Sequence, residues 1–256
     1  MKMNFYKKGI LFPHKPPKTK YKKVVYAFWT GSNKMSWIRS KNTKEAHEFF
    51  KKRDIELRLI TPRNLHFYIK KAGVELHEGY KYLSATHKSD YLRCYFMHFF
   101  GGGYTDIKPV WGEWDNSFDK IIASNPQIYA TSRPVIPAEL PHPYSHLGGI
   151  RKFTYLRPDA VVRCRALNTQ AFIFKQNTPF TQEWYTKLMS KMDELLEKLK
   201  NSPKYPVGWH DILAYIFLPI CLKYNKNILF SWFGHVPGGG YKLKNDTNDN
   251  TGARQF

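Results

Sequence analysis

Ser89-Asp90-Tyr91-Leu92-Arg93-Cys94-Tyr95-Phe96-Met97-His98-Phe99-Phe100-Gly101-Gly102-Gly103-Tyr104-Thr105-Asp106-Ile107-Lys108 is the stretch on which the fold turns. Ser89 has the chemistry of an N-cap, and Asp90 suits a first helical turn, where the macrodipole is positive. Leu92 to Phe100 is almost wholly apolar, and Gly101 to Gly103 then stops a helix. Tyr104-Thr105-Asp106 follows as a short extended segment. The predicted unit is a buried helix, a glycine turn and a strand that ends in a carboxylate. Asp90 and Arg93 are three apart and share one helix face. Leu92, Tyr95, Phe96 and Phe99 cover the other faces. A helix so enclosed shows its charges only at a cleft. By residue chemistry alone, an ordinary Asp–Arg surface pair beside a glycine loop stays open as a second reading.

Outward from this stretch, the pattern is that of an α/β domain. Val24 to Trp29 is an apolar, β-rich run closed by Thr30-Gly31-Ser32, and it reads as the first strand. Ser40 to Lys52 has helical periodicity, with Ala46, Phe49 and Phe50 on its apolar side. Ile55 to Ile60 alternates as a second strand. Thr61 to Asn64 makes a turn, and Leu65 to Ala72 a short helix. Strand, helix, strand and helix at this spacing predict βαβ units and parallel pairing. Residues 74–88 read as an irregular connection. Ile121-Ile122-Ala123 and Gln127 to Thr131 read as short strands, and 133–160 as a long Pro- and His-rich loop. That loop is either an acceptor-side flap or plain surface. Asn168 to Phe174 is another strand. Thr178-Pro179 opens a helix, with Pro at its first position, and Phe180, Trp184, Leu188, Met192, Leu195 and Leu199 form its core stripe through Lys200. A second apolar helix spans Ile212 to Lys223, with His210 or Asp211 as its cap. Ile228 to Trp232 is a last strand, and Gly234 to Gly240 a flexible loop. The expected architecture is one domain over 23–243, with a mixed, mainly parallel sheet flanked by helices. A basic arm (1–22) precedes it and a polar tail (244–256) follows.

The 256 residues carry 41 Lys and Arg against 20 acids, a formal charge of +21. Such a balance implies an anionic partner: nucleic acid, an anionic membrane surface, or a phosphorylated or nucleotide substrate. Part of the excess is local, because residues 1–23 hold lysines and no acid. The 17 Tyr, 18 Phe and 7 Trp argue against disorder and provide stacking surfaces. Cys94, Cys164 and Cys221 lack paired spacing, which suggests reduced thiols and a cytoplasmic setting. No secretory h-region stands at the start, where Pro13 to Lys20 excludes one. Ile212 to Leu222, the longest apolar run, is too short to span a bilayer and contains Pro219. The expectation is a soluble protein with at most peripheral membrane contact.

Ser89-Asp90-x-x-Arg93, then Gly102-Gly103-x-x-Asp106, resembles the signature of DXD-type nucleotide-sugar glycosyltransferases of the Och1-like and capsular-polysaccharide kind. The sugar-transfer domains of large clostridial toxins are similar. Trp29-Thr30-Gly31 resembles the end of that family's first strand. The resemblance implies a GT-A fold and transfer of a hexose-type sugar from a UDP- or GDP-sugar to a glycan or glycoprotein acceptor. Trp29, Thr30, Asp90, Arg93, Asp106, Lys108 and His235 would hold the donor. Asp106, Lys108 and Asp211 would serve catalysis, and Asn168 and His210 would line the acceptor side. Trp29 also reads as core, His210-Asp211 as a simple helix cap, and His235 as an exposed loop residue.

The departure from that pattern is Lys108, which stands where the family has the second Asp of its DXD. That Asp binds Mn²⁺ or Mg²⁺ in the family, and an ammonium cannot ligate a metal. Three readings follow. Lys108 supplies the positive charge itself and no metal is needed; or a metal binds weakly through Asp106 with His235 or Asp211; or catalysis is lost. The first is preferred. Two alternatives to an enzyme stay open: a basic nucleic-acid-binding protein, against which stands the lack of any specific recognition motif, and an inactive glycan-binding relative.

Overall fold

A computed structural model describes residues 23–135, 166–203 and 207–235 of the chain, with His235 described through its backbone. The basic arm, the loop beyond Val135, Cys164, the glycine run after His235 and the polar tail lie outside the described residues.

The chain opens with β1 (Val24–Phe28), α1 (Trp37–Lys51), β2 (Glu56–Ile60) and α2 (Leu65–Ala72). A 3₁₀ segment at Glu78–Tyr82 leads to α3 (Ala85–Phe99) and β3 (Gly102–Thr105). Next come β4 (Val110–Gly112), α4 (Trp114–Ala123), β5 (Ala130–Ser132) and β6 (Ala171–Phe174). The last described elements are α5 (Pro179–Asn201), α6 (Ala214–Lys223), β7 (Ile228–Phe230) and β8 (Phe233–His235). Six strands form one sheet in the order β2-β1-β3-β6-β5-β7, and β4 pairs with β8 in a small second sheet. Parallel pairing joins β1 to β2, β1 to β3 and β5 to β7, whereas β6 runs antiparallel to both its neighbours. Five strands therefore point the same way, and their carboxyl ends share one edge. The mixed, mainly parallel sheet expected from the sequence is present.

Alternation along the strands gives the sheet two buried faces. Val24, Tyr26 and Phe28 pack with Tyr91, Phe96, Tyr104, Phe172, Trp184 and Phe217 on the face covered by α2, α3, α5 and α6. Val25, Ala171 and Ile173 pack with Ala46, Phe50, Trp114, Phe118 and Phe233 on the face covered by α1 and α4. Helix α5 begins as its sequence predicts: Thr178 accepts from the Thr181 N–H, and Pro179 takes the first helical position. Its stripe from Phe180 to Leu199 is buried.

Several boundaries differ from the sequence reading, each for a local reason. Ser84 rather than Ser89 caps α3, its hydroxyl accepting from the His87 N–H. Asp90 consequently sits in mid-helix. The glycine run is not all turn. Gly101 (φ +62°) ends the helix, but Gly102 and Gly103 already pair with β6. A Cβ on Gly102 would lie 2.7 Å from the Val24 carbonyl oxygen, and one on Gly103 would lie 2.9 Å from Val25 Cγ2. Close strand packing, besides helix termination, is what the glycines permit. Ile121 to Ala123, expected as a strand, is the last turn of α4, whose buried side is Trp114, Phe118 and Ile121. Neither His210 nor Asp211 caps α6, which starts after Leu213 without a side-chain cap. Gly234 and His235 belong to β8, paired with Trp111 and Val110, rather than to a loop.

Candidate functional site

Helix α3 runs away from the carboxyl edge of the sheet, and β3 returns to it. That reversal brings the middle of α3 beside the residue just past β3. Arg93 and Asp106 meet there. Arg93 Nη1 lies 3.2 Å from Asp90 Oδ1, and Arg93 Nη2 lies 3.2 Å from Asp106 Oδ1. Lys108 Nζ lies 3.1 Å from Asp106 Oδ2. The Tyr104 hydroxyl donates to Asp106 Oδ1 at 2.7 Å, and the Arg93 guanidinium stacks over the Tyr104 ring at 4.6 Å. Asp90, Arg93 and Lys108 are 4 %, 8 % and 6 % exposed, so this is a buried ionic cluster and not a surface pair. Two acids and two bases balance within it, which is the condition for burying charge at tolerable cost.

The loop before β6 closes over the cluster. Asn168 Oδ1 accepts from the Gln170 N–H at 2.9 Å, and this turn aims the backbone at the ionic groups. The Thr169 carbonyl accepts from Arg93 Nη1 at 3.2 Å, and Gln170 Oε1 accepts from Lys108 Nζ at 3.4 Å. Asn168 therefore shapes the loop that holds Arg93 and Lys108. Arg39, buried in the first turn of α1, donates to the Ile107 carbonyl at 2.7 Å and so fixes the backbone between Asp106 and Lys108. Sequence reading passed over Arg39, Thr169, Gln170 and the Tyr104 hydroxyl as site groups. Tyr104 lay inside the motif and could have been singled out. Arg39 and Gln170 carry no spacing signal, because tertiary packing alone brings them to this edge.

At the end of β1, the Trp29 indole is 7 % exposed and donates to the Asn33 carbonyl at 2.9 Å, packed with Ala27 and Ile107. The Thr30 hydroxyl donates to the Ala85 carbonyl, tying the strand end to the start of α3. The segment around His210 reaches the same region through Trp209, whose ring is 6.5 Å from that of buried His87. Asp211 Oδ2 accepts from the Gly208 N–H at 2.8 Å, closing a turn. Burial lowers the pKa of the His210 imidazole, and the Asp211 charge opposes that shift. The structure brings Asp90, Arg93, Asp106, Lys108 and the Asn168 loop into direct contact. It places Trp29, Thr30, His210 and Asp211 on the surrounding elements, and it leaves His235 described as the last residue of β8.

A divalent cation fits this arrangement poorly. Mn²⁺ and Mg²⁺ need carboxylate oxygens free to coordinate. Asp106 Oδ1 already accepts from Tyr104 and Arg93, and Oδ2 accepts from Lys108. A metal at Asp106 would share its carboxylate with the Tyr104, Arg93 and Lys108 donors.

Burial raises the Asp90 pKa to about 6, with Arg93 pulling it down and Asp106 pushing it up. An acid whose folded pKa exceeds its unfolded value contributes stability below the unfolded pKa, and loses it as pH rises through the folded one. Asp90→Asn should thus gain stability relative to the wild type between pH 4 and pH 7, by about 2 kcal/mol. Urea unfolding of both proteins at the two pH values measures this. A pH-independent difference would show that Asp90 titrates as an ordinary carboxylate.

No protein-family model matches the chain, and no curated protein matches it. Among solved structures, the mouse xyloside xylosyltransferase 1 apo form is similar, with 12% identity and a TM-score of 0.42. The match covers 81% of this chain and 84% of that one. The PaToxG glycosyltransferase is similar at 12% identity and a TM-score of 0.39, over 79% of this chain and 68% of that one.

Proposed function

We propose that this chain is a glycosyltransferase that takes its sugar from a nucleotide-sugar donor, with fixed side-chain cations meeting the charge of the leaving diphosphate. The observation that carries this reading is the buried cluster Asp90–Arg93–Asp106–Lys108 at the carboxyl edge of a mainly parallel sheet. In open α/β sheets that edge is where ligands bind.

Cleavage of the bond between sugar and diphosphate builds negative charge on the leaving oxygens. Preorganised cations stabilise that charge without reorganising as it forms. Arg93 and Lys108 are such cations, held in place by Asp106, Thr169 and Gln170. Asp106 acts as the clamp that keeps both cations oriented. Trp29 and Thr30 form the wall of the donor site at the end of β1, and Asp90 fixes Arg93 from the helix side. His210 has the chemistry to accept a proton from an acceptor hydroxyl, since burial favours its neutral form. Asp211 shapes its turn. The acceptor is a glycan or glycoconjugate hydroxyl.

Thermal unfolding with UDP, GDP and their sugars, with and without Mn²⁺ or Mg²⁺, tests the donor site. A ligand at a hundred times its Kd stabilises by about 2.7 kcal/mol. The expected result is a rise with at least one nucleotide sugar in the presence of chelator. If no nucleotide or nucleotide sugar raises the transition, the donor reading fails. A rise with glycans alone would make the protein a glycan-binding relative. Steeply salt-dependent binding of arbitrary oligonucleotides, with no nucleotide-sugar response, would make it a nucleic-acid binder. A response that appears only with Mn²⁺ would overturn the role given to Lys108.

A further inference from the structure

The outer face of α2 takes no part in the site, yet its chemistry is one-sided. On α2 the exposed residues are His66, Phe67, Lys70 and Lys71, which fall on one helical face, and Arg63 is exposed just before the helix. Leu65 is buried on the opposite side, where Tyr68, Ile69 and Ala72 pack against the core. Phe67 is 64 % exposed, and its ring centroid lies 3.9 Å from that of His66. From Leu57 to Val74 the sequence contains no acid. Among the described residues, no ion pair engages Arg63, Lys70 or Lys71. An exposed phenyl ring therefore stands among cations that make no ion pair with a carboxylate among the described residues.

We propose that this face of α2 docks the protein on an anionic bilayer surface. An aromatic ring on an amphipathic helix enters the boundary between headgroups and acyl chains, while flanking Lys and Arg meet lipid phosphates. Nucleic acid suits the face less well, because one ring on a short helix gives no succession of stacking platforms along a strand. Helix α2 follows β2, the edge strand of the sheet, so its outer face stands clear of the Arg93–Asp106 cluster. The surface stands independently of what the cluster transfers or binds.

The test is sedimentation of the full chain with vesicles of phosphatidylcholine alone, and with vesicles that also contain phosphatidylglycerol. Binding is expected with the anionic vesicles and not the neutral ones. Each cation removed should lower partition about fivefold, so the double variant Lys70→Gln/Lys71→Gln should lose about 25-fold. Phe67→Ser should weaken binding several-fold with an unchanged salt dependence. Trp37, exposed at the start of α1 on the other side of the sheet, is the control, and Trp37→Ser should bind as the wild type does. All four side chains are exposed, and circular dichroism checks that each variant is folded. The proposal is overturned if the wild type ignores anionic vesicles. It is equally overturned if the α2 variants bind like the wild type, which would place the attraction in the basic arm, or if Trp37→Ser loses as much as Phe67→Ser. Oligonucleotide binding abolished by the same α2 substitutions, without vesicle binding, would make nucleic acid the partner.

Discussion

Replacing Arg93 by leucine is expected to destabilise the protein by about 3–5 kcal/mol, the cost of leaving buried charges without their partner. The guanidinium is the hub of the cluster. It touches Asp90 and Asp106 at 3.2 Å each and donates to the Thr169 carbonyl. Leucine fills part of the volume but leaves Asp90 with no cation and Asp106 with Lys108 and the Tyr104 hydroxyl. Urea unfolding at pH 7 reads the loss. Adding Asp90→Asn to Arg93→Leu should recover a large share of it, because the unpaired acid is then gone. Loss below about 1 kcal/mol would mean that the pairs behave as surface salt bridges. Arg93→Lys should fall between, since an ammonium cannot serve Asp90, Asp106 and Thr169 in one planar fork.

Lys108→Met is expected to lower transfer, or hydrolysis, of the nucleotide sugar by about 10²–10³-fold, the usual loss when one preorganised stabiliser of developing charge is removed. Asp106 keeps Arg93 and Tyr104, so folding should suffer far less than in Arg93→Leu. The informative comparison is between turnover and donor affinity. A cation that acts on the leaving diphosphate changes kcat more than donor binding, whereas a merely structural lysine would change both no more than Gln170→Leu does. Lys108→Asp removes the ammonium and creates the carboxylate spacing seen in DXD enzymes. Activity regained in that variant on adding Mn²⁺ would confirm that Lys108 takes the place of a metal. An unaltered metal response would count against it.

The βαβ beginning was legible in the sequence because its signals are local. Alternation in Ile55 to Ile60, the apolar run at Val24 and the amphipathic period of Leu65 to Ala72 each specify their element within a few residues. Boundaries were less legible. Two serines precede the apolar run of α3, and sequence chemistry favours Ser89. Packing chose Ser84, because the residues between them include His87, which is buried against Ser84 and close to Trp209. Ile121-Ile122-Ala123 reads equally as strand or helix. It became the end of α4 because Trp114 and Phe118 place Ile121 on a common helical face over the sheet.

What the sequence determined by itself, then, was the βαβα beginning, the helices α3, α5 and α6, and the presence of Asp90, Arg93, Asp106 and Lys108 in one motif, since neighbours along the chain fix these through propensity and periodicity. Tertiary structure alone decided that the four side chains form a closed ionic cluster, that both Asp106 oxygens accept from donors, that Thr169 and Gln170 join them, and that Arg39 holds the Ile107 carbonyl beside them. Those contacts depend on β6 returning antiparallel beside β3 and on α3 folding back along it. The chain separations, 13 residues from Arg93 to Asp106 and 76 from Arg93 to Thr169, exceed anything a local pattern can encode.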